Sequence, residues 1–175
     1  MNPKSILNLF SILVLFFSFS YVFPIIVSII FDDGALDIFI KTLIAVSSIG
    51  IIGLLLTRNI KNDLSQKDGF VIIVMFWVVL SLAGSVPFYL SGMSVIDSFF
   101  ESMSGITTTG ATVISNIDAL PESLLFYRQL LQWMGGMGLI VLAIAVMPLL
   151  GIGGGQIYKT EIPGAMGEQK LTPRI

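Results

Sequence analysis

From Ile6 to Phe31 the chain runs 26 residues without a charge. As a helix that run is about 39 Å long at ~1.5 Å per residue, enough to cross a hydrocarbon core of about 30 Å with tilt or overhang. Three more runs of comparable length follow: Ile38 to Thr57, Phe70 to Leu90 and Leu124 to about Leu150. Lipid offers backbone N–H and C=O groups no partners, so such runs must close their hydrogen bonds internally. The expected fold class is therefore an all-α integral membrane protein with four crossings and both termini on one side. A composition of 55% hydrophobic and 11% charged residues, with mean hydropathy +0.95, agrees. The first run admits a rival reading as a cleaved signal peptide, since Lys4 precedes it, but it exceeds the roughly 7 to 15 residues of a signal core and lacks a small-x-small exit.

Breaks between the runs set the organisation. Asp32, Asp33 and Gly34 turn the first run back into the second, giving a hairpin, with Pro24 expected to kink its first helix because the ring removes one intrahelical bond. Lys41 lies near the start of the second run, where its stem can carry the ammonium to the interface. Arg58 to Gly69 is a polar loop, and Gly151 to Ile175 a polar tail. In this topology Lys4, Arg58, Lys61, Lys67, Lys159, Lys170 and Arg174 share one side, seven of the nine basic residues. The other side carries Asp32, Asp33, Asp37, Asp97, Asp118 and Glu122. The positive-inside rule then places the termini and the 58–69 loop in the cytoplasm.

Cysteine and histidine are absent, which removes disulfides, thiol or imidazole metal ligands and the usual nucleophile pairs. An intramembrane enzyme is the lowest-ranked function for that reason. Chemistry is concentrated instead in the 33-residue outer connection, Ser91 to Ser123. Val95, Ile96, Phe99, Phe100, Met103 and Ile106 fall on one broad helical face, too apolar for a solvated loop. The segment is also too short and too polar to cross, since Asp97, Glu101 and several serines would enter hydrocarbon. A re-entrant helix over about 94–106 meets both constraints. Ser94-x-x-Asp97 is placed to cap its N-terminus, and about 12 residues reach roughly 18 Å, near the bilayer middle. The helix then points the negative end of its dipole at the stretch Thr107, Thr108, Thr109, Gly110, Ala111, Thr112 and Val113. Irregular backbone at that depth belongs where it is packed in protein or lines a wet pathway, and neutral carbonyls suit a weakly hydrated monovalent cation. A bare Thr-Thr-Thr-Gly run is by itself better read as a plain turn; its position after a capped half-length helix and between two spans favours an ion filter.

The run FFESMSGITTTGATV, the following FYRQLLQWMGGMGLIVLAIAVMPLLGIGGGQIYKTEIPG and the terminal LTPRI closely resemble the transmembrane subunit of Trk-type potassium-uptake systems. The likeness extends back through KDGFVIIVMFWVVLSLAGSVPFYLSG and, more weakly, through the first hairpin. It implies four covalently linked repeats, each of helix, pore helix, filter loop and helix, around one potassium-channel-like pore in a bacterial inner membrane. It assigns the selectivity glycine to Gly110 and K+-facing carbonyls to Thr108 and Thr109. It further implies a homodimer docked on a cytoplasmic nucleotide-binding regulatory subunit, with K+ as the transported ion, no cofactor and no nucleic acid. On this pattern 1–69 is an N-terminal hairpin and loop, 70–155 the first pore repeat, and 156–175 a linker to three repeats this sequence lacks. One filter loop supplies about a quarter of a carbonyl cage, so the chain alone is expected not to conduct. Channel-like flux and proton- or sodium-coupled transport both stay open, as does K+ over Na+ preference. A non-conducting membrane scaffold is the alternative function.

Other residues have plainer readings. Gly135, Gly136 and Gly138 in the fourth run allow close helix approach. Arg128 is expected to snorkel to the outer interface, with an ion pair to Glu101 behind the filter as the rival. Gly151, Gly153, Gly154 and Gly155 resemble a phosphate loop in composition only.

Overall fold

The computed structural model describes residues 3–57 and 66–149, and every regular element among them is helical. The order is α1 (Pro3–Ser18), a 3-10 turn (Phe19–Tyr21), α2 (Val22–Phe31), α3 (Leu36–Leu56), α4 (Gln66–Leu90), α5 (Val95–Ile106), a 3-10 turn (Ile117–Ala119) and α6 (Glu122–Leu149). Lys4–Phe31 and Leu36–Leu56 are each long and apolar enough to cross a membrane. Helices α4 and α6, at 25 and 28 residues, have the length to do so.

The expected kink in the first run takes the form of the 3-10 turn at Phe19–Tyr21. Pro24 has no N–H to offer Ser20 and its ring crowds that carbonyl, so the turn before it tightens. The α2–α3 turn needs left-handed backbone at Asp32 (φ 50°) and Gly34 (φ 75°). Asp33 fixes it, one carboxylate oxygen accepting from Ser28 Oγ at 2.5 Å and from the Ala35 N–H at 3.0 Å. Lys41 is exposed and pairs at 2.6 Å with Asp37 one turn away, as an interfacial lysine does.

The helices start earlier than the apolar runs, α1 at Pro3 and α3 at Leu36 among them. Helix α4 begins at Gln66, four residues inside the stretch assigned to the polar loop, and α6 begins at Glu122 rather than Leu124. Both helices extend past their apolar runs because a helix continues into polar residues until a breaker or cap stops it. Arg58 and Lys61, with the Gly151–Gly155 run and the 156–175 tail, lie outside the described residues.

Helix α1 packs on α3 and α4, α2 on α3 and α6, and α5 on both α4 and α6. The hairpin's contact is made by small residues. A Cβ on Gly53 would collide with Ser11 Oγ, and one on Gly50 would come within 3.1 Å of the Leu15 backbone nitrogen. Burying leucine against leucine gains little over leucine against lipid, so backbone proximity of this kind is what holds helices together in a bilayer. The faces left over are apolar, including Phe16, Ile30, Ile44, Ile52 and Leu56. Where hairpin and repeat meet, Tyr21, Phe39, Phe88 and Tyr127 are fully buried. Tyr127 contacts the other three rings at centroid distances of 5.5–5.8 Å.

The connection between α4 and α6 and the α2–α3 turn lie on the same side. Asp33 Oδ2 accepts from the Ser123 N–H at 2.8 Å, so the hairpin's turn caps the first turn of α6. Burial works against the Asp33 charge, but hydrogen bonds from Ser123, Ser28 and the Ala35 N–H outweigh it and bring the carboxyl down to about 2.

Candidate functional site

Helix α5 is 12 residues long and starts as its sequence requires. Ser94 Oγ accepts from the Asp97 N–H at 3.1 Å and donates to the Asp97 carboxylate at 2.8 Å, which satisfies an exposed N-terminal donor and places negative charge at the positive dipole end.

Its C-terminus carries the site. The Thr108 N–H bonds to the Gly105 carbonyl at 2.9 Å and the Thr109 N–H to the Ser104 carbonyl at 3.0 Å. This crossed pair is a Schellman closure, whose pivot residue must take positive φ and is ordinarily glycine. Here the pivot is Thr108, at φ 59°. A β-branched residue is strained in that region, and such strain persists where the surroundings impose it for a purpose. Gly110 also takes positive φ (74°), as glycine does at little cost, whereas the left-handed Thr108 was not expected from the sequence. No residue type signals it, since the helix end is followed by three threonines and not by a glycine.

Beyond the pivot the chain doubles back along α5. Ser104 Oγ donates to the Ala111 carbonyl at 2.6 Å. Glu101 Oε1 accepts from Thr112 Oγ1 at 2.5 Å and from the Val113 N–H at 2.7 Å. Glu101 Oε2 accepts from Arg128 Nε at 3.1 Å. The ion pair is enclosed, the Arg128 and Glu101 side chains being 9% and 1% exposed. The snorkelling expected for Arg128 is thus overturned. Its side chain turns inward from α6 because Glu101 is a buried carboxylate one helix away, and a buried charge without a partner is far costlier than a paired one.

Helix α6 closes on α5 through glycine. A Cβ on Gly135 would collide with the Ile106 carbonyl, and one on Gly105 would sit 3.0 Å from Leu131 Cβ. Gly135 therefore serves close packing, as expected, whereas a Cβ on Gly136 or Gly138 would meet only ordinary contacts at 3.7 Å or more.

The candidate residues divide accordingly. Thr112 uses its hydroxyl behind the loop, and the Ala111 carbonyl accepts from Ser104. Thr107 and Thr109 exchange a hydroxyl hydrogen bond at 2.9 Å. Thr107, Thr108, Thr109 and Gly110 are exposed, and among the described residues nothing donates a hydrogen bond to their carbonyls. A Cβ on Gly110 would have Gln132 Nε2 as its nearest neighbour, 3.9 Å away. Four free carbonyls in a row, held from behind by an enclosed ion pair, form a surface able to replace part of a cation's hydration shell.

Comparison with known proteins follows the same lines. A family described as TrkH, cation transport protein, matches residues 35–175. The Trk system potassium uptake protein TrkH of Halomonas elongata is 48% identical over 178 aligned positions, covering 100% of this chain and 37% of that protein. The Trk system potassium uptake protein TrkG of Escherichia coli is 40% identical, covering 99% of this chain and 36% of that protein. The crystal structure of the potassium transporter TrkH from Vibrio parahaemolyticus superposes with a TM-score of 0.82 at 45% identity, over 91% of this chain and 35% of that one. The chain thus spans little more than a third of the length of the relatives it matches.

Proposed function

The chain belongs to the TrkH family of cation transport proteins, and we propose that it is the N-terminal part of the pore-forming subunit of a potassium-uptake system. Residues 1–69 serve as an accessory hairpin, 70–155 as the first of four pore repeats, and 156–175 as the link to the rest. K+ is the substrate. The carbonyls of Thr107, Thr108, Thr109 and Gly110 contribute one wall of the filter, while Ala111 and Thr112 tie that wall to Glu101 and Arg128. The observation that carries this reading is the row of four exposed residues whose carbonyls have no donor among the described residues, at the end of a short capped helix. Three further walls come from the remaining repeats of a longer chain. The setting is a bacterial inner membrane with the termini of this segment in the cytoplasm, a homodimer, and a nucleotide-binding regulatory subunit beneath it.

The chemistry required of the protein is geometric. Glycine at 110 holds φ 74° without a Cβ, and the Schellman closure orients the carbonyls that follow. The Glu101–Arg128 pair keeps the returning strand from relaxing onto the pathway. Replacing Gly110 with valine in a complete transporter carrying this segment tests the reading. Potassium-limited growth and exclusion of Na+ should both be lost; their survival would leave the non-conducting scaffold as the better account.

A further inference from the structure

Pro87 breaks the backbone ladder of α4. It has no N–H, so the carbonyl of half-buried Ala83, four residues earlier, loses its helical donor. The missing donor comes from another element. Tyr21, in the hairpin's 3-10 turn, donates its hydroxyl to the Ala83 carbonyl at 2.7 Å. From the other side Tyr127 of α6 donates to the neighbouring Gly84 carbonyl at 3.0 Å. Both tyrosines are fully buried, their rings 5.8 Å apart.

This clamped turn of α4 lies against the pore helix. A Cβ on Gly84 would collide with Ser102 Oγ of α5, one residue from Glu101. On α6, Tyr127 directly precedes Arg128, the partner of Glu101. The two hydroxyls therefore fix the elements on either side of α5 at the level of the ion pair that braces the filter loop.

We propose that Tyr21 and Tyr127 are positioning residues for ion selection, and that the accessory hairpin acts on the filter through the Tyr21 hydroxyl. The inference rests on the filter reading above. Two consequences distinguish it from a packing role. Pro87 has no N–H to give Ala83, whereas Phe88, four residues after Gly84, carries one, so the Tyr21 hydroxyl should matter more than that of Tyr127. And a residue 87 with an N–H should make the Tyr21 hydroxyl dispensable.

The test uses a complete transporter with residues 1–175 as its N-terminal segment and reads the ratio of K+ to Na+ acceptance in uptake assays. This ratio is independent of how much protein reaches the membrane. Tyr21→Phe keeps the ring and should lower the ratio about threefold or more, Tyr127→Phe by less, as expected for unmet carbonyls of unequal need. In a Pro87→Ala background, Tyr21→Phe should leave the ratio of that background unchanged. An unaltered ratio in Tyr21→Phe, a larger effect from Tyr127→Phe, or an undiminished Tyr21→Phe effect beside Pro87→Ala would each overturn the proposal. Gly110→Val in the same assay separates the two readings. If it abolishes discrimination while Tyr21→Phe does nothing, the clamp fails and the filter stands; if neither changes the ratio, the filter reading itself has failed.

Discussion

The hairpin of α1 to α3 and the repeat of α4 to α6 solve the same problem, backbone polarity in lipid, by different means. In the hairpin the long helices use their own carbonyls, and serines and threonines return their hydroxyls to the helix that carries them, as Ser11 does to Leu7, Thr42 to Ile38 and Ser48 to Ile44. Contact is made where glycine meets a small side chain. In the repeat the chain leaves the helix, and residues far apart in sequence must supply what the helix no longer does: Glu101 to Val113, Arg128 to Glu101, Tyr21 to Ala83. Regular backbone is self-sufficient in a membrane, and irregular backbone is held there by other parts of the protein.

Breaking the enclosed pair should give the largest effect. Arg128→Met strands the Glu101 carboxylate and should destabilise the folded protein by roughly 3–5 kcal/mol, most of it recovered by adding Glu101→Gln. Thermal unfolding in lipid nanodiscs measures both, and an Arg128→Met loss under about 1 kcal/mol would mean the repeat depends on its brace no more than the hairpin does. Gly135→Ala drives a methyl into the Ile106 carbonyl, a backbone atom, and should cost about 1–3 kcal/mol.

Thr108→Gly should act in the opposite direction, raising stability by roughly 0.5–1 kcal/mol as the left-handed strain is relieved, while K+ selectivity declines. A destabilised Thr108→Gly protein would show that the pivot threonine is there for packing. Gly53→Ala is the hairpin's counterpart to Gly135→Ala. Its methyl meets the rotatable Ser11 hydroxyl, and the gain in helix propensity of up to about 1 kcal/mol offsets the crowding, so the net change should be near zero. If Gly53→Ala proved as harmful as Gly135→Ala, the distinction between side-chain and backbone contact would fall.

A pH-dependent effect concerns the joint between the two regions. Asp33 is held at about 2 against an ordinary 3.8, so the stability it contributes is full above pH 3.8 and is lost as pH falls through about 2. Asp33→Asn should flatten that acid limb in a pH series of unfolding temperatures and leave the neutral-pH value slightly lower. A limb that stays unchanged would assign acid sensitivity to other carboxylates.

The sequence made the helices legible because each apolar run is long enough to span the bilayer core, and made α5 legible because Ser94 and Asp97 mark its start and a lipid-length argument limits its extent. The candidate loop was legible from the threonine run and Gly110. Its support was less so. Arg128 in an apolar run could equally have reached for the interface, and only the approach of α5 to α6 makes Glu101 the nearer partner. Nothing local to Tyr21 announces a bond to a carbonyl 62 residues away, and nothing local to Thr108 announces positive φ.

What the sequence alone determined was thus the set of segments that must be helical in lipid and the point where one of them stops short, since both follow from hydropathy and capping along the chain. The tertiary structure decided which polar groups complete the broken backbone. Those groups lie 7 to 90 residues apart, from Ser104 and Ala111 to Ser123 and Asp33, and the longer of these bonds depend on how helices pack.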